Sequence, residues 1–407
     1  MSSNTKKIWI VRNEEEQPGK VAVDFAQIQD LDDLKEFLFG PNEKTLYIGH
    51  FKGAILSVDA SIPIDTTANN PLIFRKGIPN VPKPSPPKPS PVVPKPIPAP
   101  PTPVIPNIPV DAQWKQNGVT VAGGHGSGNA TDQLNLPHGL FVDDDQTMII
   151  ADFDNHRIIQ WKMGDTNGQV IAGGNGQGNR LDQLYCPTDM LIDKETNSLI
   201  ICDQTNRRVV RWPHRSGTTQ GEILIDNIAC TRVVMGDQRY LYISDYKEHE
   251  VRRYQIEDKN GTIVAGGNSE GDGLNQLRCP FYVFVDQQQA VYVSDKNNHR
   301  VMKWNKGAKE GIIVAGGQGE GTTLTQLSYP AGLFVDTLGI IYVADHGNHR
   351  VMRWPEGEKQ GTVIVGGNGE GKGANQFAYP MGLSFDRHGN LYVVDLLNNR
   401  VQRFSIE

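Results

Sequence analysis

The chain repeats one pattern six times between residues 112 and 407, and this repetition limits the possible folds more than any other feature. In each copy an aliphatic segment ends in Asp, a tight turn follows, and a further segment closes on an aromatic residue. The six aspartates are Asp152, Asp203, Asp245, Asp295, Asp345 and Asp395, at intervals of 51, 42, 50, 50 and 50 residues. A period of this length indicates an array of small structural repeats.

Each copy predicts four short β-strands. The copy that starts at Gly332 contains the segments "GLFVD", "IIYVAD", "RVMRW" and "TVIV", which are aliphatic or aromatic and are bounded by Gly, Asn, Asp or Pro. None is long enough for an ordinary helix. A four-stranded antiparallel unit cannot cover both faces of its own sheet, so neighbouring units must stack around an axis as the blades of a propeller.

The two ends of the array predict a closed ring. The last copy has three strands and lacks the fourth, whereas residues 119–122 match a fourth strand and precede any first strand. Pairing of residues 119–122 with residues 400–404 would complete blade six and leave no open sheet edge, which removes a site of aggregation. We therefore predict an all-β six-bladed β-propeller over residues 112–407, and we expect it to be monomeric.

A proline-rich segment precedes the predicted propeller. Most of residues 77–111 have a Pro at nearly every second position, and polyproline geometry of about 3.1 Å per residue makes them an extended linker of about 90 Å. Three Lys-x-x-Pro-x-x-Pro patterns begin at Lys83, Lys88 and Lys95. A period of three aligns each set along one edge of a polyproline helix, so an SH3-type domain is a candidate partner of the linker.

Residues 1–76 predict a small α+β domain. Strand patterns, a helical pattern at residues 30–40 and further strand patterns follow one another, and Asp30 suits the N-cap of the helix. This order is that of a ubiquitin-like β-grasp fold. The stretch "ILSVDASIPIDTTANNPLIFR" resembles the ubiquitin-like header of Crinkler-type proteins, which implies a docking module that recruits a second protein.

Charge and hydropathy limit the function classes. Residues 110–407 carry 28 Lys or Arg against 35 Asp or Glu, so the predicted propeller is acidic and nucleic acid is an unfavourable partner. No run of 18 apolar residues occurs, and the N-terminal residues lack an apolar stretch of signal-peptide length, so we expect neither a membrane span nor secretion. The four cysteines lack the spacing of a zinc site or a disulfide framework, and we expect reduced thiols in the cytosol; they are Cys186, Cys202, Cys230 and Cys279.

The turn after the aspartate has the pattern Asp-x-x-Asn-x-Arg in five copies. Asn and Asp tolerate a left-handed backbone and bond the backbone locally, and the Arg offers a planar fork of donors to the carboxylate. The five arginines are Arg157, Arg208, Arg300, Arg350 and Arg400. Because five copies carry the set, we assign it a structural role. The Gly-rich stretches between copies are assigned to blade connections rather than to phosphate or calcium binding, since no helix follows them.

These turns, beside strands of the "GLFVD" and "IYVAD" type, make the repeats similar to NHL repeats, most clearly in the Asn-His-Arg triplets that begin at Asn155, Asn298 and Asn348. The resemblance implies a six-bladed propeller and, in most of the family, an interaction platform for proteins or RNA. One branch of the family resembles metal-dependent lyases that finish peptide amidation, which implies an alternative, enzymatic function.

Positions that break the repeat are candidate functional residues, since positions common to all copies are explained by folding. Blade three lacks the preceding Gly-rich loop, and its turn carries Glu248 and Glu250 in place of Asn and Arg. The residues that enter the six innermost strands are Gly139, Asp189, Arg232, Tyr282, Gly332 and Gly382. We expect these entrances to line the mouth of the central channel, on the face that also carries Glu248. Drift in one blade would explain the same pattern, and the sequence leaves both interpretations open.

We predict a non-enzymatic scaffold whose propeller face binds a protein or peptide and whose N-terminal domain recruits a second partner. Arg and aromatic side chains anchor many binding surfaces. The predicted contact residues are Asp189, Arg232, Phe281, Tyr282, Glu248 and His138. No cofactor or metal site is predicted, because a lyase would need several metal ligands at the channel mouth, where the sequence places only His138. RNA binding is the other alternative, and the acidic charge disfavours it.

Overall fold

The computed structural model describes residues 108–214, 219–256 and 258–407, together with the backbone of five strands between residues 5 and 76. The chain divides into two compact units, Met1–Ile97 and Pro98–Glu407. Within the described residues, no helix has the length and apolar character needed to cross a membrane.

The five strands of the first unit form one mixed sheet. They are β1 (Thr5–Val11), β2 (Gly19–Asp24), β3 (Tyr47–Phe51), β4 (Ala54–Leu56) and β5 (Leu72–Lys76). Their order is β2-β1-β5-β3-β4, in which β1 and β5 are parallel and the other neighbouring pairs are antiparallel. The predicted helix at residues 30–40 and the predicted linker as far as residue 107 lie outside the described residues.

The second unit is a six-bladed all-β propeller, as the repeat predicted. Each blade is a four-stranded antiparallel sheet, and the first strands of adjacent blades pack against one another around the axis. Blade one comprises β7 (Pro137–Val142), β8 (Met148–Asp152), β9 (Arg157–Trp161) and β10 (Gln169–Gly173). Blade two comprises β11 (Pro187–Asp193), β12 (Ser198–Asp203), β13 (Arg208–Pro213) and β14 (Glu222–Asp226). Blade three comprises β15 (Cys230–Met235), β16 (Tyr240–Asp245), β17 (Glu250–Gln255) and β18 (Thr262–Gly266).

The remaining blades follow the same plan. Blade four comprises β19 (Pro280–Val285), β20 (Val291–Asp295), β21 (Arg300–Trp304) and β22 (Ile312–Gly316). Blade five comprises β23 (Pro330–Val335), β24 (Ile341–Asp345), β25 (Arg350–Trp354) and β26 (Thr362–Gly366). Blade six comprises β27 (Pro380–Phe385), β28 (Leu391–Asp395), β29 (Arg400–Phe404) and β6 (Val119–Gly123), which comes from the other end of the array.

The core lies between the blades. In β8, β20, β24 and β28 every residue is buried, because each of these second strands is flanked within its sheet and covered on both faces by neighbouring blades. Their Val, Ile, Leu and Tyr side chains suit such a strand. The indoles that end the third strands, Trp161, Trp304 and Trp354, are also buried. This packing needs a complete ring, since an end blade would expose one of its two apolar faces.

The ring closes as predicted. Strand β6 pairs antiparallel with β29, so that Ala122 lies opposite Val401 and Val119 opposite Arg403. The residues just before β6 add a second contact across the seam, because the indole of Trp114 donates a hydrogen bond to the carbonyl of Gly389 at 2.9 Å. Ile108 is completely buried against blades five and six, so the segment before β6 packs on the propeller from Ile108 onward.

The two faces of the propeller differ in their connections. One face, named here the loop face, carries the links from each outer strand to the next inner strand and the turns between second and third strands. The opposite, hairpin face carries the other two turns of each blade. Every inner strand has a register shift near its loop-face end, for example between Pro280 and Val283. Such bulges re-aim the side chains next to them.

The four cysteines differ from the prediction of four reduced thiols. Cys202 and Cys230 form a disulfide with their Cα atoms 5.4 Å apart, whereas Cys186 and Cys279 are free. Cys202 lies near the end of β12, and Cys230 opens β15 in the next blade. Their proximity follows from the packing of blade two on blade three, which the separation of 28 residues does not reveal. Cys202 is completely buried.

Candidate functional site

The Asp-x-x-Asn-x-Arg turns clamp the Gly-rich loops. In blade four, Arg300 Nε donates to the Asp295 carboxylate at 2.7 Å. The two terminal nitrogens of Arg300 donate instead to loop carbonyls, those of Asp272 at 2.7 Å and of Gly273 and Gln276 at 3.0 and 3.2 Å. The fork therefore holds the loop that precedes the blade, and only one of its bonds goes to the carboxylate. Burial raises the pKa of Asp295 despite the opposing effect of its bonds to Arg300 and Asn298.

The left-handed residue of the turn is the one after the Asn, which corrects the prediction. His299 has φ 53°, whereas the amide of Asn298 donates to Asp295 and to the carbonyl of Gly271. The ring of His299 then accepts a hydrogen bond at Nδ1 from the backbone NH of Tyr329, in the loop that leads to blade five. In blades one, four and five the turn thus holds the loop before its blade through Arg and Asn and the loop after its blade through His.

Because Arg and Asn hold the preceding loop and His holds the following loop, the absence of one loop explains why blade three departs from the repeat. The loop between blades two and three is absent, so a turn in blade three has no preceding loop to hold, and Glu248 and Glu250 stand where Asn and Arg would be. His249 is retained and accepts a hydrogen bond from the NH of Cys279, because the following loop is present. Blade two shows the complementary pattern, since Arg208 holds its preceding loop while Arg207 replaces the His.

A hydrogen bond of the same kind, from the histidine position of the turn to the following loop, joins blades six and one. Asn399 occupies the histidine position in blade six, and its side-chain oxygen accepts a hydrogen bond from the NH of Leu136 at 2.9 Å. The ring is therefore closed by strand pairing, by the Trp114 contact and by this bond. All three depend on residues at opposite ends of the propeller sequence.

The structure brings together three of the predicted site residues, but it buries two of them and leaves only 16% of the Arg232 side chain exposed. The guanidinium of Arg232 forms an ion pair with Asp189 and lies 4.7 Å from the centre of the Tyr282 ring. The hydroxyl of Tyr282 lies 3.4 Å from the carbonyl oxygen of His138, across the channel. Asp189 has no exposed surface and Tyr282 is 2% exposed. We name this group, Asp189, Arg232 and Tyr282, the channel plug.

Two glycines make room for the channel plug. A Cβ atom at Gly139 would lie 2.5 Å from an Asp189 carboxylate oxygen, and one at Gly382 would lie 2.7 Å from the Tyr282 hydroxyl. Glycines in three blades and large side chains in the other three therefore fill one layer of the channel, as small and large residues do in other closed sheets. Burial raises the pKa of Asp189 to about 6, although Arg232 opposes the shift.

Above the channel plug, on the loop face, lies a set of basic and aromatic side chains. His138 stacks on Phe153 with ring centres 4.2 Å apart, and the ammonium of Lys296 lies 4.2 Å from the centre of the Phe281 ring. His346 completes the set, with Nδ1 3.2 Å from the carbonyl oxygen of Pro380. We name these five residues, His138, Phe153, Phe281, Lys296 and His346, the mouth cluster.

The protein around the mouth cluster disfavours positive charge on its side chains. Burial, together with a smaller effect of nearby Lys296, lowers the pKa of His138 to about 4. Burial and Lys296 likewise lower the pKa of His346 to about 3. Burial also lowers the pKa of Lys296 itself. Both imidazoles are therefore neutral near pH 7, and the lysine carries the charge of the cluster.

Sequence analysis found two members of the mouth cluster, His138 and Phe281, and missed Phe153, Lys296 and His346. The missed residues each follow the aspartate that ends a second strand. Across the six blades that position reads Phe153, Gln204, Tyr246, Lys296, His346 and Leu396, which is the variability expected of a surface that does not serve folding. Comparing this position among the copies would have identified them. The sixth predicted residue, Glu248, is exposed on the turn of blade three.

Two other features of the described residues bear on chemistry. An outer groove of about 520 Å³ lies between blades three and four and is lined by Arg253, Trp304, Lys306 and Lys309 among others, but by none of the predicted site residues. In the part of the chain that the structure describes, no three His, Cys, Asp or Glu side chains converge as metal ligands.

Comparison with known proteins supports the fold. Residues 327–353 match the NHL repeat family. No curated protein matches the chain. The chain is thus a six-bladed β-propeller that carries an NHL repeat in blade five.

Solved structures share this architecture at low sequence identity. A protein of unknown function from Bacteroides thetaiotaomicron is 15% identical, with a TM-score of 0.59 over 72% of this chain and 77% of that one. An auxiliary nutrient binding protein from the same species is 15% identical, with a TM-score of 0.57 over 72% and 77%. A gluconolactonase from Xanthomonas campestris is 13% identical, with a TM-score of 0.50 over 73% and 97%. At this identity the similarity shows the fold alone.

Proposed function

We propose that the protein is a non-enzymatic interaction scaffold, in which the loop face of the propeller captures a protein or peptide and residues 1–76 recruit a second partner. The observation that carries this proposal is the mouth cluster. Four of its side chains, those of His138, Phe153, Lys296 and His346, are half-buried, and Phe281 is 8% exposed beneath Lys296; all five lie above the layer that the channel plug fills. A partly exposed set of aromatic and basic side chains suits an anchoring side chain of a partner.

The predicted contact residues take two roles in this proposal. His138, Phe281 and Glu248 contact the partner directly, since they lie on the loop face. Asp189, Arg232 and Tyr282 support the site from below, because their mutual contacts set the depth of the mouth.

The proposal for residues 1–76 is supported by strand order. The sheet β2-β1-β5-β3-β4 with a parallel central pair is the arrangement expected of a ubiquitin-like β-grasp domain. Such a domain next to the proline-rich linker would link two partners, and the linker itself is proposed as an SH3-type ligand. A cytosolic location stays a prediction, and it has to be reconciled with the Cys202–Cys230 disulfide, a bond typical of oxidising compartments.

Photo-crosslinking of the full chain in its host cells tests which face is used. A photoreactive amino acid at Phe153 reports on the loop face, and one at exposed Leu338 on a hairpin-face turn is the matched control. We expect protein adducts from position 153 that are absent at position 338. Adducts of equal yield at both positions would refute the choice of face. Adducts to RNA at position 153 would favour the RNA-binding alternative.

A further inference from the structure

The mouth cluster holds a cation without a counter-charge. Among the described residues, no carboxylate forms an ion pair with Lys296, whose ammonium contacts the face of Phe281. The acidic residue beside it, Asp295, already accepts bonds from Arg300 and Asn298. Half-buried charges are usually paired, so an unpaired lysine in an acidic domain marks a place where a partner is missing.

The two imidazoles face this cation from other blades. His138 comes from blade one and His346 from blade five, and both lie close enough to Lys296 for its charge to disfavour their protonation. The other titratable groups that act on these three side chains are His349, on His346, and the thiol of Cys279, on Lys296. Neither is a carboxylate. The mouth cluster therefore holds one positive charge, that of Lys296, and contains no carboxylate of its own.

Hydrogen bonds set the tautomer of both imidazoles. Nδ1 of His138 lies 2.9 Å from the carbonyl oxygen of Leu136, and Nδ1 of His346 lies 3.2 Å from that of Pro380. Because a carbonyl oxygen only accepts, Nδ1 must carry the proton in each ring, and Nε2 of the neutral ring is left with a lone pair. A ligand with acceptor oxygens can use these rings only after Nε2 takes up a proton.

We propose that the mouth cluster binds a carboxylate of a peptide ligand, held by Lys296 and by His138 and His346 that become protonated as it binds. This inference rests on the proposed function of the loop face and names its ligand chemistry. The carboxylate comes from an Asp or Glu side chain or from a C-terminus. The Phe153 and Phe281 rings flank these three side chains, and the low dielectric of an aromatic wall strengthens the charge-assisted bonds to the carboxylate.

Coupling between carboxylate binding and histidine protonation makes the mechanism measurable. The bound carboxylate offsets the repulsion from Lys296 and stabilises each imidazolium, so the pKa values of the two histidines rise on binding. The complex therefore takes up protons from solution, and affinity increases as pH falls from 7 toward 5. A neutral amide in the same place would cause no such uptake.

The experiment uses the full chain and an array of nine-residue peptides that carry a central Asp, Glu, Asn or Gln among apolar residues, each with a free or amidated C-terminus. We expect binding only where a carboxylate is present. The free and amidated series separate the C-terminal source from the side-chain source. Lys296→Met should weaken binding about 10-fold or more, whereas Lys306→Met, at an exposed hairpin-face lysine, should not change it.

Calorimetry of the tightest peptide in two buffers with different ionisation enthalpies then measures proton uptake. Uptake is expected for the wild type and should be lost in the His138→Asn, His346→Asn double variant. Equal binding of Asn and Asp peptides without proton uptake would overturn the carboxylate assignment while leaving the loop-face scaffold intact. Binding of no peptide, together with no crosslink at position 153, would refute the scaffold as well. Displacement of the peptide by inorganic phosphate at lower concentration than by acetate would assign the mouth to phosphate and overturn the proposal.

Discussion

Replacing Arg300 with Met should lower the melting temperature by roughly 6 to 10 °C. Arg300 is 4% exposed and its partner Asp295 is fully buried. The substitution leaves a buried carboxylate without its cation and deprives three loop carbonyls of donors. Removing one partner of a buried ion pair costs about 3 to 5 kcal/mol. The free energy of unfolding of the full chain, from urea titration at pH 7, should fall by that amount.

An ion pair in the loop before blade four serves as a control that separates the effect of burial from that of distance. Arg278 lies 2.7 Å from Glu270, the same distance that separates Arg300 from Asp295, but both side chains are about half exposed. Arg278→Met should therefore cost less than about 1 kcal/mol. A second variant, Asp295→Asn in the Arg300→Met background, removes the stranded charge and should restore part of the loss. Equal costs for the two arginine variants, or no recovery in the double variant, would refute the clamp as the source of the stability.

Three further outcomes are expected. Deleting residues 108–123 removes the closing strand, so the melting temperature should fall by roughly 10 °C or more or the chain should associate, and an unchanged monomeric melt would contradict ring closure. Alkylation of the unfolded, unreduced chain should label two thiols, and reducing the Cys202–Cys230 bond should cost about 3 kcal/mol; four labelled thiols would show that the bond does not form. Because the pKa values of His138 and His346 are lowered to about 4 and about 3, the folded chain binds fewer protons than the unfolded chain, and stability that is complete above pH 6.5 is lost as pH falls toward 4. In the double variant with Asn at both positions, the free energy of unfolding from urea titrations should fall less between pH 7 and pH 5 than in the wild type. An equal fall in the two proteins would contradict this assignment.

The propeller could be predicted because the sequence signals that define it are short and recur in every blade. Comparing copies of one pattern reveals the strand-ending aspartates, the short apolar runs and the fourth strand at residues 119–122 that precedes the first complete copy. The structural role of the turn arginines was also correct. Comparing the copies of the repeat could not predict which carbonyls the arginines bind, since the loop carbonyls that accept hydrogen bonds from Arg300 are 24 to 28 residues away in sequence.

The candidate site was predicted only in part, for two physical reasons. Asp189, Arg232 and Tyr282 were expected to converge and do so, but whether they face solvent depends on the volume left by glycines in other blades, which only the closed ring defines. The disulfide between Cys202 and Cys230 depends in the same way on how two blades pack. Lys296 and His346 were not predicted because they lie in turns after the second strands, away from the inner-strand entrances at which the repeat is broken.

Closing a ring with its first strand has a consequence for synthesis. The segment around Trp114 leaves the ribosome early, yet its partner at Gly389 follows 275 residues later. At about 5 to 20 residues per second the nascent closing strand waits roughly 15 to 55 s without its neighbour. During that interval the "VTVA" edge is free to pair with other emerging chains, so yield in the cell should depend on chaperone capacity more strongly than the stability of the finished ring suggests.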